Sequence, residues 1–247
     1  MKKQIPNLLT LGNLVCGVMA AYQASLGYLH RAAILMLCGI LFDFLDGFAA
    51  RMLKVQSPMG KELDSLADVV TSGVVPGIIL YNIFRIFHPC GLGNPFYWLR
   101  FVGFLIPAFA AYRLAKFNID DRQGHSFLGL PAPSNALIWA AIGTCFIHGY
   151  DWAQVALLPI PNLFPILRST AGLIVLAVLS LATDVLMVSE VPMMGLKFTS
   201  FGWKENSLKY ILLIGAAVLI VFFGIIGIAF AIVWYILLSL FTRRCNA

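Results

Sequence analysis

Residues 31–54 read RAAILMLCGILFDFLDGFAARMLK. A helix rising 1.5 Å per residue needs about 20 apolar residues to cross about 30 Å of hydrocarbon. This stretch supplies them, with Arg31 at one end and Arg51 and Lys54 at the other. Two aspartates, Asp43 and Asp46, nevertheless lie inside it. The next apolar run, residues 58–86 (PMGKELDSLADVVTSGVVPGIILYNIFRI), contains Asp64 and Asp68. Together the runs predict two adjacent, antiparallel membrane helices carrying four carboxylates.

Working outward, Pro, Gly and charged interruptions mark further apolar runs at 6–27, 96–117, 134–150, 166–189, 208–223 and 225–241. The last two join without a charge after Lys209, and Gly224 and Gly227 offer a break between them. The 247 residues are 60% hydrophobic and 11% charged, with a mean hydropathy of +0.88. Soluble domains carry about 25% charged residues, so a water-soluble enzyme is excluded. The fold class is all-α, a polytopic transmembrane bundle of about eight helices. Its single domain, 1–247, comprises a six-helix core over about 6–198 and a C-terminal hairpin over 208–241. No repeat or Ser/Gly linker divides it.

The net charge of +6 comes from Lys and Arg scattered between apolar runs rather than gathered on a groove, so nucleic acid is not a partner. Positive charge is concentrated on the cytoplasmic side of membrane proteins. With a cytoplasmic N-terminus and eight crossings, Lys2, Lys3, Arg51, Lys54, Lys61, Arg113, Lys116, Arg122, Lys197, Lys204, Lys209, Arg243 and Arg244 fall inside, and Arg31, Arg85, Arg100 and Arg168 outside. Seven crossings would strand Arg243 and Arg244 on the wrong side. Both termini are therefore expected in the cytoplasm of an inner-membrane protein. A cleaved leader is disfavoured, because Pro6, Asn7, Thr10, Gly12 and Asn13 make a poor apolar core. The five cysteines contain no CxxC pair, so neither a disulfide framework nor a zinc site is encoded. His30, His88 and His148 fall at outer ends and His125 in a loop, away from the carboxylates.

A charge at the bilayer centre costs at least about 2.5–3.5 kcal/mol, so the four aspartates require compensation. At 100° per residue, Asp43 and Asp46 lie about 60° apart on one face with Gly47 and Ala50 beside them, and Asp64 and Asp68 about 40° apart on the next helix. Ser57-Pro58 has an N-cap residue followed by proline, which starts the third helix at Pro58. Its amino end suits a phosphate, and Gly47 and Gly60 let one approach the backbone. Converging carboxylates without His or Cys are hard ligands fitted to Mg²⁺ or Mn²⁺, and two such ions clamp a phosphoryl group. Interfacial ion pairs with Arg51, Lys54 and Lys61 are the competing structural reading. A divalent-cation transporter is the alternative from another class, although no internal repeat supports it and Arg51 would repel a bare cation.

The pattern Asp43-x2-Asp46-Gly47-x2-Ala50-Arg51-x8-Gly60-x3-Asp64-x3-Asp68 resembles the signature of the CDP-alcohol phosphatidyltransferases, with eight fixed positions in 26 residues. The resemblance implies a membrane enzyme that displaces CMP from a CDP-linked lipid by an alcohol. It implies that Asp43, Asp46, Asp64 and Asp68 hold two metal ions, that Gly47, Arg51 and Gly60 contact the CDP moiety, and that Asp68 is also the base. A homodimer is implied as well. Outside the signature, residues 6–14 (PNLLTLGNL), 64–70, 113–118 (RLAKFN), 127–133 and 186–189 resemble the branch whose acceptor is L-serine and whose donor is CDP-diacylglycerol. The place in metabolism this implies is phospholipid biosynthesis.

Serine needs one cation for its carboxylate, and Arg113, with Asn118 nearby, supplies it. Lys116 and Arg122 lie close too, so glycerol 3-phosphate or inositol phosphate stays open as acceptor. Asn7, Thr10 and Asn13 recur along one side of helix one, either bordering the cytidine pocket or pairing with other helices. Asp184 is read as a partner for Lys197 or Arg113, or as a contact for the substrate ammonium.

The charge asymmetry predicts that membrane-impermeant thiol reagents modify a single-cysteine variant at Cys90 from outside and spare one at Cys245. Labelling of both would indicate seven crossings, and the opposite pattern an inverted chain.

Overall fold

The computed structural model describes residues 4–55, 57–87, 91, 94–120, 127–144, 169–195 and 202–246. Helix α1 spans Gln4–Ser25, α2 Leu29–Leu53 and α3 Pro58–Asp68. A π-helical segment, Val69–Val74, joins α3 to α4, Val75–Phe87. A 3₁₀ segment, Pro95–Phe104, leads into α5, Leu105–Ile119. Then come β1 (Phe127–Leu128), α6 (Ala132–Thr144), α7 (Thr170–Val188), β2 (Pro192–Met193), α8 (Trp203–Phe223) and α9 (Ile226–Asn246). The described residues therefore make eight helical passages, six of them long and apolar enough to cross a membrane. The protein is a multi-pass membrane protein built as an all-α bundle. His88, Cys90, Arg122, His125, His148, Arg168 and Lys197 lie outside the described residues, as do the ends of the apolar runs at 145–150 and 166–168.

Local chemistry explains the boundaries. Lys54 turns left-handed (φ 53°), and the N–H groups of Lys54 and Val55 close α2 on the carbonyls of Arg51 and Ala50. Helix α3 starts at Pro58, where Ser57 Oγ accepts the Gly60 N–H at 3.0 Å. Gly224 (φ 61°) separates α8 from α9, the break expected from its glycine. The run over 96–117 is not α-helical throughout, because Asn94 caps a 3₁₀ start through the Phe96 N–H and Gly103 packs against Gly77 backbone to backbone.

Helix α1 packs along α2 and against α3, the π segment and α4, while α6 lies between α2, α4 and α9. Alanines at 20, 24, 32 and 33 allow this close approach, and Met36, Ile79, Ile83 and Trp139 fill the space between. The π turn buries three consecutive residues, Thr71, Ser72 and Gly73. Thr71 Oγ1 reaches the Asn13 carbonyl (3.3 Å) on α1, whereas Gly73 faces Pro107 and Ala110 on α5. At one end of the bundle β1 pairs antiparallel with β2, and Gly129 (φ 73°) turns away so that its N–H donates to Val191 O at 2.8 Å.

A Cβ at Gly39 would lie 2.8 Å from Thr71 Cγ2 and 2.9 Å from Asn13 Oδ1. Gly39→Val is therefore expected to destabilise the protein by about 1–3 kcal/mol, read as a lower melting temperature in detergent. Gly91→Ala, which meets nothing within 4 Å, is expected to leave it unchanged.

Candidate metal and nucleotide site

Three elements meet at the end of the bundle that holds the α2–α3 turn. Asp43 comes from α2, and Asp64 and Asp68 from α3; each offers a carboxylate oxygen, and these oxygens lie within 4.8 Å of one another. Asp64 and Asp68 stand one helical turn apart, so the four-residue spacing read from the sequence becomes a shared face. Asp68 is 7% exposed, and its Oδ1 accepts from Asn13 Nδ2 at 3.1 Å, leaving Oδ2 for the cluster. Asp64 Oδ1 is buried without a hydrogen-bond partner.

Asp46 stands apart from that trio. Its Oδ2 accepts from the Thr10 hydroxyl of α1, and it faces a cavity of about 470 Å³ that Asp64 also lines. Asn7, Thr10, Gly47, Gly60 and Lys61 are further walls of this cavity. Asn7 and Thr10, read from the sequence as bordering the cytidine pocket or as helix contacts, line this cavity, while Asn13 bonds across to Asp68 of α3. Gly60 is needed for space, since a Cβ there would sit 3.1 Å from both Asn7 Oδ1 and Ser57 Oγ. Arg51 is exposed and folds back so that Nη1 comes 3.6 Å from the open side of Gly47.

The acceptor-side residues divide. Arg113 is 7% exposed, its Nε has no partner, and its guanidinium faces both Phe117 (5.9 Å) and the Asp68 charge. It lines a narrow recess with Lys116, Phe117, Leu128, Met187 and Ser189. Asn118 does not line it: its Nδ2 donates to Ser65 Oγ (2.9 Å), and its carbonyl accepts from Lys61 Nζ (2.9 Å), tying α5 to α3. Asp184 is fully buried and accepts from Ser180 Oγ at 3.5 Å, and no ion pair joins it to Arg113. The sequence reading did not single out Ser65, Tyr235 or Ser239, because a hydroxyl in an apolar run has no pattern to mark it.

These residues fit a divalent cation. Unit charges 4.8 Å apart repel by about 3.5 kcal/mol per pair at an effective dielectric of about 20. One charge-assisted hydrogen bond returns only about 1.5–3 kcal/mol. The three can stay ionised together only with a cation between them, and an all-oxygen set suits a hard one.

Fold and site together define a polytopic membrane protein with a hard-ligand acidic centre beside a nucleotide-sized cavity at one end of its bundle. A sequence model of the CDP-alcohol phosphatidyltransferase family matches residues 3–194, and the chain belongs to that family. It is 34% identical over 173 residues to the CDP-diacylglycerol–serine O-phosphatidyltransferase of Bacillus subtilis, covering 64% of this chain and 90% of that protein. The enzyme of the same name from Helicobacter pylori is 37% identical over 136 residues, 54% of each chain. The archaetidylserine synthase of Methanothermobacter thermautotrophicus is 34% identical over 149 residues, 59% of each. The chain thus spans nearly the whole of the Bacillus relative and little more than half of the other two.

Asp43→Asn, Asp64→Asn and Asp68→Asn are each expected to reduce turnover at least about 100-fold while the protein still inserts, and chelation of divalent metal to do the same to wild type. CMP release after metal titration checks this. Near-normal rates in any two of the variants would contradict a shared metal centre.

Proposed function

We propose that this chain is a CDP-diacylglycerol–serine O-phosphatidyltransferase, moving the phosphatidyl group of CDP-diacylglycerol to the hydroxyl of L-serine with release of CMP. The observation that carries the reading is the placement of Asp68. It belongs to the acidic trio next to the nucleotide-sized cavity, and the charge of the buried Arg113 acts on it from beyond ion-pair distance. The serine-transferase names of the relatives support the choice of acceptor.

The cytidine diphosphate enters the cavity between α1, α2 and α3, with acyl chains left in lipid. Asn7 and Thr10 line its nucleotide end, and the bare backbone at Gly47 and Gly60 admits the diphosphate beside the α3 amino terminus and Arg51. Asp43, Asp64 and Asp68, with Asp46 next to them, would hold two divalent ions, Mg²⁺ or Mn²⁺, which would supply positive charge against the diphosphate and the departing CMP. Arg113 takes the serine carboxylate through its paired N–H groups. The Asp68 carboxylate accepts the serine hydroxyl proton, the serine oxygen bonds to the phosphorus that carries diacylglycerol, and the bond from that phosphorus to CMP breaks. Asn13, bonded to Asp68 Oδ1, keeps that carboxylate's aim.

The Lys and Arg asymmetry supports a site facing the cytoplasm with both termini on that side. Lys61, Lys116 and Glu190 gather at the same end of the bundle as the acidic trio, Lys61 bonded to Asn118 O and Lys116 paired with Glu190 at 3.3 Å. Glycerol 3-phosphate or inositol phosphate is the second reading, favoured by Lys116 at the rim of the Arg113 recess. All of the helices act as one domain on this account.

Purified protein with CDP-diacylglycerol and a panel of alcohols is expected to release CMP with L-serine and not with phosphorylated alcohols. Arg113→Lys loses the bidentate fork and is expected to raise the serine KM about tenfold while leaving the CDP-diacylglycerol KM nearly unchanged; Arg51→Lys is expected to do the reverse. CMP release with glycerol 3-phosphate alone would retire serine and keep the transferase.

A further inference from the structure

The family match ends at residue 194, and the C-terminal hairpin is fastened to that same residue. The Met194 N–H donates to Ser239 Oγ at 3.2 Å, and the Met194 carbonyl accepts from the Tyr235 hydroxyl at 3.2 Å. Both side chains come from α9, one turn apart, and are 9% and 3% exposed for Tyr235 and Ser239. They grip both backbone polar groups of one residue.

That residue follows directly on β2, whose Met193 and Pro192 pair with Phe127 and Leu128 of β1. Leu128 is a wall of the recess that holds Arg113, and Met187, another wall, packs in one buried cluster with Met193 and Tyr235. A ladder of two residues per strand has too few hydrogen bonds to hold its own position. The recess is narrow, about 10 Å³, roughly the space of one water. Leu128 of the ribbon is part of the wall beside Arg113, so the direction from which Arg113 can be met depends on the ribbon staying in place.

We propose that Tyr235 and Ser239 are positioning residues for the acceptor alcohol, a clasp through which a hairpin beyond the family core holds the β1–β2 ribbon against the Arg113 recess. The proposal rests on the acceptor side assigned under the proposed function. It adds that acceptor affinity is set in part from α9, by groups that touch neither the donor cavity nor the acidic trio. Loosening the clasp lets the ribbon wander and costs acceptor binding; the donor side, built from α1 to α3, is untouched.

The test compares full-length wild type with Tyr235→Phe, Ser239→Ala and Ser239→Thr. Steady-state KM is measured for serine and for CDP-diacylglycerol, with the melting temperature in detergent. Tyr235→Phe and Ser239→Ala are expected to raise the serine KM about three- to tenfold, the loss of one buried hydrogen bond, with the CDP-diacylglycerol KM unchanged. Ser239→Thr keeps a hydroxyl and is expected to restore the serine KM toward wild type. A lower melting temperature with an unchanged serine KM, or an equal rise in both KM values, overturns the clasp. Should Tyr235→Phe fail to fold, the Ser239→Ala and Ser239→Thr pair decides. If wild type uses another alcohol, the serine assignment falls and the same comparison is made with that alcohol, so the clasp stands or falls separately.

Discussion

A carboxylate 7% exposed inside an apolar helix has to be held by something, and much of the bundle is arranged to hold Asp68. Asn13 donates to it from α1, so α1 must pass close to α3 at that level. The passage is possible because Gly17 and Gly39 leave room for Thr71, which returns a hydrogen bond to the Asn13 carbonyl. Thr71 points that way because the chain switches from α to π winding directly after Asp68. Helix contact, winding and the aim of one carboxylate are thus a single constraint, and none of the three can be altered without the others.

Asp46 shows the same logic with a different outcome. Bonded by Thr10, it belongs to the wall of the cavity as much as to the acidic trio. Two helices that each carry a pair of aspartates therefore do not give four equal ligands, because α1 supplies a partner to one carboxylate of each pair. Asp46 is drawn off toward α1, whereas Asp68 keeps its tether to Asn13 inside the trio, so the demand for a cation is concentrated between α2 and α3.

What the sequence made legible follows the distance over which each part is encoded. Helix positions, the Ser57-Pro58 start and the glycine break at residue 224 depend on neighbours within a few residues, and the structure has them as read. The facing of Asp43, Asp64 and Asp68 needs only helical periodicity and one tight turn. The π segment was not legible, since periodicity over 58–86 is indifferent to one extra residue in a turn. The 3₁₀ start before α5 was not legible either, since it depends on Gly77 and Gly103 meeting across two segments. The bonds of Asn118, read beside Arg113 as a serine contact, were not legible for the same reason: its partners, Ser65 and Lys61, lie more than 50 positions away and come together only in the fold.

The two sides of the site differ in this respect, and the difference has a functional consequence. On the proposed reading, the donor side is written in one stretch from Asp43 to Asp68 plus a single face of α1. The proposed acceptor side is assembled from Arg113 on α5, Leu128 on β1, the end of α7 and, through the ribbon, Tyr235 and Ser239 on α9. No short motif specifies such a surface. If the proposed sides are right, the displacement of CMP stays fixed while the alcohol is chosen by parts that pack around it, and those parts can change one at a time without disturbing the carboxylates.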